Sequence, residues 1–173
     1  SAYPQRVLTT PISEAGLVGV AAGMALRGLH PVVEIMFGDF VTLAADQIIN
    51  HIAKFRWMYN EQVRLPLTIR TPMGGRRGYG PTHSQTLEKI FLGIPGFLVL
   101  APSPLQHSMS LAENPFPFGG AADLLYRQVL MGEDPALFIE NKLLYLLPTQ
   151  DAGTLPDFTL STHPEPASAP ASP

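Results

Sequence analysis

The sequence predicts an α/β domain: three layers, with helices covering both faces of a mainly parallel sheet. Two observations carry that expectation. Helix-like and strand-like segments alternate along the chain, the order that a parallel sheet with helical crossovers requires. Several strand-like runs, such as Phe97-Leu98-Val99-Leu100-Ala101 and Ala136-Leu137-Phe138-Ile139-Glu140, also lack in/out alternation, as strands buried on both faces do. Composition agrees, since 46% hydrophobic and 14% charged residues in a chain of 173 suit a compact body rather than disorder. A chain of this length buries roughly 70% of its unfolded surface, enough for a core.

Taken in order, Ile12-Ser13-Glu14 leads into a helix over Ala15 to Arg27, with Gly28 as its stop and Pro31 blocking extension. The β-branched run Val32-Val33-Glu34-Ile35-Met36 reads as a strand. From Asp39 to Met58, apolar residues including Leu43, Ile48, Ile52 and Phe55 recur at helical spacing. Leu65 to Arg70 is the next strand, with Pro66 at its entry, where a missing donor is tolerated. A glycine-rich loop, Pro72 to Pro81, precedes a helix expected over Ser84 to Phe91. The strand at Phe97 to Ala101, a helix over Ala121 to Met131 and the strand at Ala136 to Glu140 complete the body, which is expected to span residues 1–147. Residues 106–120 show no period and read as an irregular insertion, and residues 148–173 form a Pro/Ala/Ser-rich tail expected to be disordered.

The bulk numbers exclude several functions. With no cysteine, the chain has no disulfide, thiolate metal site or cysteine nucleophile. A net charge of −3 gives no electrostatic case for nucleic acid. No apolar run reaches the roughly 18 residues of a membrane span, and Ser1-Ala2-Tyr3-Pro4-Gln5-Arg6 is no signal peptide. A cytoplasmic protein is expected, and a first residue other than methionine suggests a processed or truncated product.

Gly16, Gly19 and Gly23 recur at helical neighbour spacing, each costing about 1 kcal/mol relative to alanine in a helix interior. Helix-on-sheet packing accounts for them, and so does close approach of a ligand or partner chain near Glu14. At the start of that helix Glu14 is favoured by the dipole, and spacing alone makes it a capping carboxylate.

The run TTPISEAGLVGVAAGMALRGLHPVVEIMFGDF is followed in order by AADQIINHIAKFRWM, PLTIRTPMGG, THSQ, GIPG and DPALFIENKLLY. Together these resemble the beta subunit of the 2-oxoacid dehydrogenase decarboxylase component, the group of pyruvate, branched-chain and acetoin dehydrogenases. The resemblance covers roughly Arg6 to Tyr145. It implies a transketolase-like pyrimidine-binding domain that binds the aminopyrimidine of thiamine diphosphate opposite an alpha subunit, which holds the diphosphate and magnesium. A beta–beta contact and docking to an acyltransferase core are implied as well.

Residue by residue, the resemblance makes Glu14 of PISE the partner of pyrimidine N1′, a contact that favours the imino tautomer and so proton removal from the thiazolium. Phe40 would stack on the pyrimidine and Met36 would line the same pocket. His83 of THSQ would face substrate, where its neutral-range pKa suits proton transfer. Backbone carbonyls at Leu67, Val129, Leu130, Gly132 and Asp134 would correspond to an alkali-metal site, taken as potassium.

The sequence also departs from the family. The helix and strand that precede PQRVLTTPISE, and the carboxy-terminal domain, have no counterpart here, so the chain is expected to be a fragment. The glycine-aspartate-glycine pattern for magnesium is absent, and GGRRGYG at Gly74 to Gly80 lacks the Lys-Ser/Thr ending of a phosphate loop. Two other readings stay open: a non-catalytic fragment or interaction module that keeps the fold, and a transketolase or deoxyxylulose-phosphate-synthase type enzyme.

Overall fold

The computed structural model describes residues 2–102, 105–106, 129–143, 145 and 150–151. Its centre is a four-stranded sheet of β1 (Val32–Glu34), β2 (Thr68–Met73), β3 (Leu98–Leu100) and β5 (Ala136–Asn141), in the order β1-β2-β5-β3. Every pairing in it is parallel. A separate two-stranded parallel pair joins β4 (Leu105–Gln106) to β6 (Gln150–Asp151), the latter within the expected tail.

Strand β5 shows why the run Ala136 to Ile139 lacks alternation. Leu137 and Ile139 belong to the main core with Ile69, Met73, Val33 and Ile35. Ala136 and Phe138 point the other way, into a second cluster with Val129 and Leu100. Both faces of the strand are covered, as expected of the middle sheet of three layers.

Helix α1 (Glu14–Leu26) packs on β1 through Val18, Ala21, Ala22 and Ala25. It ends where the sequence places the stop: Gly28 has φ +84°, its N–H donates to Ala25 O at 2.9 Å, and Leu29 N–H reaches Met24 O at 3.1 Å. This is the Schellman arrangement, which glycine at the left-handed position makes inexpensive. The glycines on α1 are not the packing face. Gly16 and Gly23 are exposed, and Gly19 lies toward the Gln47 side chain.

The helix expected from Asp39 to Met58 is present as a helical run of three kinds. A 3-10 segment over Gly38–Ala44 passes into a π segment over Gln47–Ile52 and then into α2 (Ala53–Met58). The buried positions explain the change of winding. Val41 and Ala44 are three apart, matching the tighter turn, whereas Ile48 and Ile52 are four apart and both fully buried, which the wider turn keeps on one side.

Two expectations need correction. The helix over Ser84 to Phe91 is reduced to a single 3-10 turn at Glu88–Ile90. Gln85 is bound elsewhere, its N–H and side-chain amide to Asp39 and its carbonyl to Gly74 N–H, so a helical ladder cannot begin there. Strand β2 begins at Thr68 rather than Leu65 and runs on to Met73, because its partner β1 starts opposite Thr68. Pro72 fits inside β2 because pairing with β1 stops at Arg70, leaving no bond on that side to lose. Of the helix expected over Ala121 to Met131, residues 129–131 are helical and the remainder lies outside the described residues. The greater part of the irregular 106–120 segment and of the tail lies outside them too.

One stability prediction arises from His30, beside Thr68 with Nε2 3.4 Å from Oγ1. Burial pushes its pKa below the usual histidine value. A lowered folded pKa means that the unfolded chain binds the proton first as pH falls. The stability is therefore full above about pH 6.5 and declines below it. Melting temperatures between pH 8 and 5 are expected to fall less steeply in His30→Gln than in the unaltered chain.

Candidate functional site

Glu14 is the first residue of α1, following Ser13 in extended conformation at the N-cap. Ser13 makes no side-chain cap bond. The Glu14 side chain is half-buried and makes no hydrogen bond or ion pair among the described residues. The capping role that spacing suggests is therefore not what holds this carboxylate. It stands at the positive end of a 13-residue helix, a favourable place for an acidic side chain.

Helix α1 packs against the Gly38–Ala44 turn that carries Phe40, and that turn in turn contacts the Pro81–His83 turn. The result is a compact aromatic cluster after the carboxyl ends of the strands. The His83 ring stands edge-on to Phe37 at 4.7 Å and to Phe40 at 5.3 Å between centroids. Phe37 also meets Phe40 at 5.9 Å and Tyr79 at 5.6 Å, both edge to face. Such geometry suits the ring quadrupoles and adds about 0.5–1.5 kcal/mol per pair. Thr82 Oγ1 lies 3.0 Å from His83 Nδ1, so Nε2 is the ring nitrogen without a partner among the described residues. Met36, two residues past β1, is 52% exposed.

Beneath the cluster lies a charged layer that the motif comparison did not single out. Lys142, just past β5, is 3% exposed, and its ammonium donates to the His83 carbonyl oxygen. The same ammonium stands 4.6 Å from the Phe37 ring centroid and 5.7 Å from that of Tyr79, within cation–π range. Burial pushes the Lys142 pKa down, and the charge of Asp39 opposes that shift. Asp39 is 7% exposed, and its Oδ1 accepts from Gln85 Nε2 at 2.8 Å. Sequence carried a signal for these residues only through their company: Asp39 stands in GDF, Gln85 in THSQ and Lys142 in ENKLLY, all runs quoted for the resemblance. Hydropathy gives no reason to bury them.

Of the residues expected to form an alkali-metal site, Leu67 lies on the lead-in to β2, and Val129, Leu130, Gly132 and Asp134 lie ahead of β5. Ala136 N–H donates to Leu67 O at 2.9 Å and Leu65 N–H to Glu133 O at 3.1 Å, which fastens the turn before β5 to the lead-in of β2. Arg64 pairs with Glu133, and Arg56 with Asp134 at 2.8 Å. The carbonyl of Val129 accepts from Gly132 N–H at 3.2 Å. Each such carbonyl keeps a second lone pair, while the Asp134 carboxylate is committed to Arg56. Among the described residues no group of three or more His, Cys, Asp or Glu could hold a metal ion. No helix among them is long and apolar enough to cross a membrane.

A cavity of about 310 Å³ opens at the carboxyl ends of β2, β3 and β5, lined by Met73, Thr86, Glu88, Pro102 and Asn141. Crevices at this end of a parallel sheet are where such folds place ligands. The structure thus gathers His83 and Phe40 directly and sets Glu14 on the helix packed against the same turn.

A parallel sheet covered on both faces, with helical segments between its strands, defines the class as an α/β domain. The chain belongs to the transketolase, pyrimidine binding domain family, which it matches over residues 1–112. It is 39% identical over 140 residues to acetoin:2,6-dichlorophenolindophenol oxidoreductase subunit beta of Bacillus subtilis (strain 168), covering 81% of this chain and 37% of that protein. It is 38% identical over 142 residues to the mitochondrial pyruvate dehydrogenase E1 component subunit beta-2 of Oryza sativa subsp. japonica, covering 82% and 34%. To 2-oxoisovalerate dehydrogenase subunit beta of Pseudomonas aeruginosa it is 37% identical over 159 residues, covering 92% and 41%. The chain therefore spans between 34% and 41% of the length of these relatives.

Proposed function

We propose that the chain supplies the aminopyrimidine-facing half of a thiamine diphosphate site in a 2-oxoacid dehydrogenase, working opposite an alpha subunit. The observation that carries this reading is the His83–Phe37–Phe40 cluster, built on turns packed beside the helix that opens with Glu14, which has no partner among the described residues. A half-buried carboxylate and an aromatic cluster on the turn packed against its helix suit a flat, protonatable heterocycle. Thiamine diphosphate, when bound, supplies the electron sink for decarboxylation.

The chain's own residues have simpler tasks. Glu14 accepts a hydrogen bond from N1′ and holds a proton there. Phe40 and the exposed Met36 provide apolar surface for the ring. His83 presents Nε2 to the reacting 2-oxoacid as a proton donor or acceptor. Magnesium and the diphosphate fall to the alpha subunit, a reading supported by GGRRGYG, which lacks the phosphate-loop ending. Potassium is assigned to the corner of Leu67, Val129, Leu130, Gly132 and Asp134, with residues 1–147 as the domain. A beta–beta contact, an acyltransferase core and a cytoplasmic setting complete the reading, the last supported by the lack of cysteine.

The test is reconstitution. The chain is mixed with a candidate alpha subunit, thiamine diphosphate, magnesium and a panel of 2-oxoacids, and reduction of an artificial acceptor is followed. Turnover is expected, falling about 10²- to 10⁴-fold in His83→Ala. Failure to assemble or turn over with several alpha subunits would instead favour the non-catalytic interaction module.

A further inference from the structure

The loop that carries His83 is held from two sides by buried charged groups that the proposed chemistry does not use. From the end of β5, the Lys142 ammonium donates to the His83 carbonyl and stands over the Phe37 and Tyr79 rings. From the Gly38–Ala44 turn, Asp39 Oδ1 accepts from the Gln85 side-chain amide at 2.8 Å and from the Gln85 N–H at 3.4 Å. Asp39 Oδ2 is buried with no hydrogen-bond partner among the described residues.

Burying two charges is an expensive way to fill space. Apolar residues of similar volume commonly do it as well or better. What the charged pair adds is direction, because its hydrogen bonds end on the residues either side of Ser84. Lys142 fixes the carbonyl of His83 and, through the Phe37 ring, the surface against which the imidazole stands. Asp39 fixes Gln85, whose carbonyl accepts from Gly74 N–H at 3.3 Å.

We propose that Asp39 and Lys142 are positioning residues that clamp the His83-Ser84-Gln85 loop, so that the imidazole edge faces the ligand from a fixed place. The functional consequence rests on the reading of His83 given above, whereas the clamp itself concerns loop position and is measurable without turnover.

Histidine ring resonances of the chain provide the measurement, with His83 assigned through His83→Gln. The Phe37 and Phe40 rings, at 4.7 and 5.3 Å, are expected to displace the His83 ring signals from unstructured positions. Lys142→Met and Asp39→Ala are expected to abolish that displacement while core methyl signals of Ile69 and Leu137 stay in place. Asp39→Asn, which keeps the Oδ1 acceptor, is expected to restore most of it. Should a single variant unfold by stranding one buried charge, Asp39→Asn/Lys142→Met removes both charges and is expected to fold yet still lose the His83 displacement. Folded variants that leave the His83 signals unmoved would overturn the clamp. In the assembled enzyme, Lys142→Met is expected to lower kcat by about 10- to 100-fold with little change in KM, the signature of a misplaced group. Loss of the His83 displacement with unchanged kcat would uphold the clamp and count against the role given to His83.

Discussion

Replacing Glu14 by glutamine is expected to lower turnover of the assembled enzyme by about 10²- to 10⁴-fold, the range for a group that holds a proton during catalysis. The substitution keeps the size of the side chain and removes its charge. A carboxylate holds the proton of a protonated ring nitrogen, whereas a neutral amide cannot compensate that positive charge. Folding is expected to be nearly unaffected, because Glu14 makes no hydrogen bond or ion pair among the described residues. Its favourable position at the helix N-terminus is worth only ~0.3–1 kcal/mol, a shift of a few degrees at most in a domain of this size. Comparing kcat at saturating cofactor with the melting temperature separates the two effects. Equal losses in both would mean that Glu14 serves the fold.

The largest stability effect is expected at Gly96. It has φ +76°, and a Cβ there would lie 2.3 Å from the carbonyl oxygen of Ala53, at the start of α2. The obstacle is backbone, so no rotamer change relieves it. A left-handed conformation costs about 1–2 kcal/mol for a residue with a Cβ, and overpacking adds about 1–3 kcal/mol. Gly96→Ala should therefore lose on the order of 3 kcal/mol in denaturant titration. Gly23→Ala is the matched control: nothing lies within 4 Å of its Cβ position, so alanine in that helix should stabilise by about 1 kcal/mol. A Gly96→Ala chain as stable as the unaltered one would show that the Pro95–Gly96 turn does not abut α2 as described.

How much of this the sequence reveals depends on what sets each feature. Helix α1 and its glycine stop were legible, because periodicity and a left-handed C-terminal residue are local properties. The unalternating run at Ala136 to Ile139 likewise announced a strand covered on both faces. The winding of residues 38–58 was not legible beyond being helical, since an apolar spacing of three or four fits α, 3-10 and π segments alike. The missing helix at Ser84 to Phe91 was hidden because its partner is remote in sequence: the Gln85 carbonyl accepts from Gly74 N–H, just past β2, rather than from a helical N–H.

The site divides the same way. Glu14, Phe40, Met36 and His83 were singled out by motif, and geometry then joins His83 to Phe40. Lys142, far along the chain from the motifs it serves, reaches His83 only after β5 is laid beside β2. No local pattern announces a lysine that is 3% exposed. Its role is written in sheet order rather than in spacing.

The central claim is that Glu14 of this chain meets the aminopyrimidine of thiamine diphosphate. Nitrogen-15 resonance of the cofactor labelled at N1′, bound to the chain assembled with its alpha subunit, tests it most directly. The N1′ signal is expected at the position of a protonated ring nitrogen with the unaltered chain, and at that of an unprotonated one with Glu14→Ala, although both forms bind the cofactor. The same N1′ signal in both would contradict the claim.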